Sequence, residues 1–132
     1  MTVTVEEHHH GPVDVQVLES TKVGSHYARK ILLTRQSDEV VVQFGIMRLN
    51  LRHVPDAVRR EVESQSAPLG RILIQHNVLR QIHLHKLWRI VAGPELRAVF
   101  SIPDGSVTYG RTAWIDVDGE RAVELLEIVA PE

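Results

Sequence analysis

An α+β domain, with strands at both ends of the chain and a helical middle, is the fold class this sequence predicts. Three observations carry that expectation. Residues 13 to 51 alternate apolar and polar side chains at the period of two that a strand imposes. From Pro55 to Ile74 the alternation gives way to charged and apolar residues at helical spacing, and from Leu79 onward it returns. An antiparallel sheet with helices packed on one side accommodates this order. The chain contains no internal repeat and no low-complexity tract.

Composition narrows the function. The chain has 132 residues, 24% charged and 43% hydrophobic, which is one domain's worth of soluble sequence. A net charge of −2 without a basic run argues against nucleic acid as the main partner. There is no cysteine, so disulfides, thiolate chemistry and cysteine zinc sites are excluded, and the cytoplasm is the expected compartment. No apolar run approaches the roughly 20 residues of a membrane span. Residues 1–7 lack the basic-then-apolar form of a signal peptide.

Residues 1–12 read as a polar leader, and residues 13–132 as a single domain. The leader carries His8, His9 and His10 before Gly11-Pro12. Histidines adjacent in sequence seldom converge on one ion, so it reads as a solvated turn and no metal site is assigned. Val13, Val15 and Val17 alternate with Asp14 and Gln16 in a half-buried strand. The polar stretch from Glu19 to Ser25 leads into the next strand, Tyr27 to Leu33. There Tyr27, Ile31 and Leu33 share a face with Arg29 between them, and the opposite face has Leu32 as its only large apolar member. A core-facing arginine is costly unless an anion answers it, either a protein carboxylate or one belonging to a ligand.

Gln36-Ser37-Asp38 connects to a third strand with Val40, Val42, Phe44 and Ile46 on one face, then Met47, Leu49 and Leu51. That change of parity beside Gly45 suggests a bulge. Asp56 is placed to cap a helix through Val58 and Val62. Pro68 stands near the first turn of a second short helix, whose free amides offer a carboxylate seat. After Leu79, the residues Ile82, Leu84, Trp88 and Ile90 are expected on one strand face, with His83 and His85 on a solvated one. Leu96 to Ile102 reads as a further strand. In the last hairpin Tyr109, Arg111, Ala113 and Ile115 share a face, Asp118-Gly119 turns tightly, and Val123, Leu125, Glu127 and Val129 return. Glu127 is thus an acid on an apolar face. It could serve a ligand or simply pair with Arg29.

Four pieces, in order and with similar gaps, resemble the chorismate pyruvate-lyases, which release 4-hydroxybenzoate and pyruvate from chorismate. They are Tyr27-Ala28-Arg29-Lys30-Ile31-Leu32-Leu33, Pro68-Leu69-Gly70-Arg71, Tyr109-Gly110-Arg111 and Glu127-Ile128-Val129-Ala130-Pro131. The resemblance spans roughly residues 13 to 131. It implies a chorismate lyase-like, six-stranded antiparallel sheet with helices and an internal cavity, and a reaction that needs no cofactor. By position, Arg29 would hold the carboxylate of chorismate or a related substrate, assisted by the amides at Leu69 and Gly70. Glu127 would face the oxygen at the far end, and Arg111 would support it. Arg29 and Glu127 are therefore the expected catalytic pair. A protonated Glu127 could donate to the ether oxygen and an ionised one could take the ring proton.

The front of the chain departs from that family, whose members usually carry a helical segment before the first strand. The pocket is then more open, or a neighbouring subunit covers it in a homodimer, or the chain has left the parent reaction. Two other readings follow. One is a different small-molecule step, a cyclisation or elimination on a carboxylate. The other is an effector-binding module, because a related fold serves as the sensing half of some bacterial repressors. No helix-turn-helix domain precedes residue 13, so a free-standing module is the form that reading takes here.

Overall fold

The computed structural model describes residues 12–65, 67–76 and 79–131; the histidine run at residues 8–10 lies outside them. Six strands form one antiparallel sheet: β1 (Val13–Val23), β2 (His26–Arg35), β3 (Val41–Asn50), β4 (Arg80–Val91), β5 (Val107–Val117) and β6 (Glu120–Val129), in the order β1-β2-β3-β6-β5-β4. The expected α+β class and six-stranded antiparallel sheet are present. The polar residues 19–23, expected as a connection, continue β1 as an edge strand. Their backbone pairs with β2 from Lys30 back to His26 while their side chains stay in water. At the end of β5, Asp118 (φ 51°) and Gly119 (φ 85°) both take the left-handed conformation that a two-residue hairpin turn demands.

A 3₁₀ turn (Leu51–His53) and two helices, α1 (Asp56–Ser64) and α2 (Leu69–Gln75), join β3 to β4. Val58 and Val62 of α1 and Ile72 and Leu73 of α2 bury against Tyr27, Met47, Leu49, Ile115 and Val123 on one sheet face. Asp56 makes no side-chain capping bond. Pro55 occupies the cap position and Asp56 the first turn, where its charge favours the helix dipole. The expected strand at residues 96–102 is instead mostly a helix, α3 (Pro94–Phe100). Proline at the first position presets the backbone, Glu95 suits the N-terminus, and Leu96, Val99 and Phe100 fall on one helical stripe. That stripe packs on Leu32, Phe44 and Ile128, so a helix also covers part of the second sheet face.

This double coverage corrects two expected registers. In β3, Phe44 and Ile46 face α3, whereas Gln43, Gly45, Met47 and Leu49 face the α1–α2 layer. No parity change occurs at Gly45; the irregularity lies earlier, where Val42 is the extra residue between the Leu33–Gln43 and Thr34–Val41 pairs. In β4 a bulge at His85 reverses the faces, so Ile82 and Leu84 share a side with Leu87, and Trp88 and Ile90 turn away. His83 and His85 keep a common face, both against the Trp114 ring, but they bind different partners. His83 stacks on Trp114 and lies 2.9 Å from Asp116, while His85 meets the Thr112 hydroxyl. Among the described residues there is no histidine or carboxylate cluster suited to a metal, and no helix long and apolar enough to cross a membrane.

Helices α1 and α2 do not reach the far end of the sheet. Ile82, Leu84, Leu87, Val91 and Tyr109 are exposed there. Next to this strip, Gly110 is a close-approach glycine. A Cβ at that position would lie 2.8 Å from the Glu127 carbonyl oxygen and 3.0 Å from Ile128 Cγ1. Gly110→Ala is expected to cost about 1–3 kcal/mol, read as a fall in the denaturation midpoint. An unchanged midpoint would mean that β5 and β6 separate freely at this point.

Candidate functional site

Arg29 leaves the middle of β2 on the face that β3 continues with Met47, its directly opposed partner. It is 2% exposed. One terminal nitrogen donates to the Ala67 carbonyl at 3.2 Å, and the Nε and the other Nη have no protein partner among the described residues. Burial holds its pKa below the ordinary arginine value, with the neighbouring Tyr27 phenol acting in the opposite direction. Arginine starts so far above neutrality that the guanidinium stays charged. Arg29 is thus a desolvated cation with two donor atoms unanswered among the described residues, an arrangement that costs stability unless something else answers them.

Glu127 does not provide that answer. The sheet order puts β3 between β2 and β6, so Arg29 pairs across to Met47, and Met47 to Leu125. Glu127 lies directly opposite Arg111 on β5 instead. Arg111 Nε and Nη2 both donate to Glu127 Oε1, at 3.2 and 3.1 Å, and Gln43 Nε2 donates to Oε2 at 3.0 Å. The salt bridge between Arg29 and Glu127 that the sequence left open is replaced by one between Arg111 and Glu127.

Arg29, Gln43, Arg111 and Glu127 line one cavity of about 80 Å³, with Leu69 and Gly45 among its apolar walls. Two arginines against one glutamate leave the lining with one excess positive charge when all three are ionised. The space is well below the roughly 300–1,000 Å³ of drug-sized sites, and a short acid suits it better than chorismate. Gly45 forms the floor between Arg29 and Gln43. Leu69 opens α2, and Gly70 follows in the same turn. The first helical bond of α2 runs from Ile72 N to Pro68 O, so the Leu69 and Gly70 amides have no helical carbonyl to meet.

The structure thus brings Arg29, Leu69, Arg111 and Glu127 to one cavity. Sequence reasoning missed Gln43. Its signal was present: taken with Gly45 and Met47 at period two, it falls on the same face as Arg29's partner row. The apolar neighbours Val42 and Phe44 drew attention to the other parity.

No protein-family model and no curated protein sequence matches the chain. Solved structures do. The chain superposes on PhnF from Mycobacterium smegmatis with a TM-score of 0.70 at 10% identity, covering 95% of this chain and 61% of that one. The fold is one that bacterial effector domains share. The effector domain of the same PhnF gives 0.66 at 11% identity, over 89% of this chain and 80% of that one. The ligand-binding domain of a putative GntR-family transcriptional regulator from Bordetella bronchiseptica gives 0.63 at 14% identity, over 89% and 85%. These identities establish the fold alone, and that fold is chorismate lyase-like. This chain spans less than two thirds of the full PhnF chain.

Proposed function

We propose that this domain is a binding module for a small organic monoanion, which acts as its effector. One observation carries the reading: a buried Arg29, with two donor atoms unanswered among the described residues, lines a cavity whose other charges cancel each other. The carboxylate would sit on Arg29, with the Leu69 and Gly70 amides assisting. Arg111 and Gln43 hold Glu127 in place at the other end. The likeness to domains described as effector or ligand-binding supports this reading over the elimination expected first.

Calorimetric titration with acetate, propionate and butyrate, and their ω-hydroxy forms, tests it alongside incubation with chorismate. The expected outcome is saturable binding of at least one short acid and no pyruvate from chorismate. Pyruvate release would restore the lyase reading, and no binding at millimolar acid would remove the module reading. The exposed apolar strip of β4 is where we place a second copy in a homodimer. Sedimentation as a monomer at micromolar concentration would contradict that.

A further inference from the structure

Gln43 is 3% exposed and sits between two demands. Its amide nitrogen donates to Glu127 Oε2, so the amide cannot turn over without facing oxygen to oxygen, and its Oε1 points elsewhere. That oxygen is buried and accepts no hydrogen bond from the described residues. Arg111 completes the arrangement from behind. By holding Oε1 of Glu127 it keeps the carboxylate available to fix Gln43. The same small cavity is therefore lined by two residues that carry unmet polar atoms of opposite kind, donors on Arg29 and an acceptor on Gln43.

Their positions separate them. Arg29 stands opposite Met47 and Gln43 opposite Leu33, four residues apart along the strands, with Gly45 between. At about 3.4 Å per residue this is roughly 13–14 Å between backbone rows, a gap the two side chains shorten from its ends. A ligand that meets Arg29 with one end meets Gln43 with another part of itself, over the floor that Gly45 leaves low.

We infer that Gln43 is a specificity-determining residue, and that the ligand is a short carboxylic acid carrying a hydroxyl or N–H donor away from the carboxylate. This rests on the binding reading above and deepens it. A plain acid satisfies Arg29 and leaves the Gln43 oxygen stranded, and a buried acceptor without a donor is costly.

The test compares glycolate, 3-hydroxypropionate and 4-hydroxybutyrate with acetate, propionate and butyrate on the wild-type chain, then on Gln43→Met and Gly45→Ala. The expected result is that at least one hydroxy acid binds on the order of tenfold tighter than its plain counterpart. Gln43→Met should erase that preference, so that each hydroxy acid binds like its plain counterpart. A Cβ at Gly45 would meet Ile31 Cγ1 at 3.4 Å, ordinary contact, so Gly45→Ala should fold normally and weaken all the acids alike. Equal binding of hydroxy and plain acids overturns the role of Gln43 and leaves the Arg29 site standing. A preference that survives in Gln43→Met, with the variant's melting transition intact, overturns it too. No binding by any of the six acids removes the underlying module reading together with this inference.

Discussion

Glu127→Leu is expected to lower the stability of the domain by about 2–3 kcal/mol. Removing one partner of a fully buried ion pair typically costs about 3–5 kcal/mol, because the other charge is left without compensation. Here the Arg111 side chain is 26% exposed and can recover some water, which brings the figure down. Gln43 cannot recover in that way, and its amide nitrogen would lose its acceptor in the interior. For a domain of this length the loss corresponds to a melting temperature lower by roughly 10 °C. Glu127→Leu combined with Arg111→Met should regain most of it, since the stranded charge is then gone. If Glu127→Leu melts with the wild type, the carboxylate is not holding Arg111 in solution.

Arg29→Met should act in the opposite direction on the empty protein. The guanidinium is buried with two nitrogens unpartnered among the described residues, so its removal relieves a desolvation cost and Met keeps the volume filled. The unliganded variant is expected to be as stable as the wild type or more so. Binding should fall by about 1.5–3 kcal/mol, the worth of a hydrogen bond to a charged group, or roughly 10- to 150-fold in affinity. Stability and binding therefore separate at this residue. A variant that melts well below the wild type yet binds the acids as tightly when folded would assign Arg29 to the scaffold.

Alternation alone placed Arg29 correctly, because β2 has one plainly apolar face and one polar face. The same reading failed in β3, where α3 covers the second face and both parities are apolar, so the pattern no longer says which side is inward. Without that, Gln43 could not be recognised as an inward amide. In β4 the bulge at His85 adds one residue, and a single extra residue exchanges the faces of everything after it. The helix α3 was missed for a related reason. Its seven residues are too short for periodicity to separate a helix from a strand, and the proline at its start carried the better signal. Arg111 and Glu127 were each placed on the right face, but their partnership depends on β5 and β6 being neighbours in register. The tight Asp118-Gly119 turn implied that neighbourhood. The position of β3 between β2 and β6, which excludes Arg29 from the pair, involves a long-range connection that local pattern does not encode.

The most direct measurement is of the Arg29 Nε–H by proton–nitrogen NMR while propionate and 3-hydroxypropionate are added. A sheltered guanidinium awaiting an anion predicts a slowly exchanging Nε–H signal that is absent from Arg29→Met and shifts saturably with acid. A signal exchanging at the rate of free arginine, or one that ignores both acids at saturating concentration, would contradict the account.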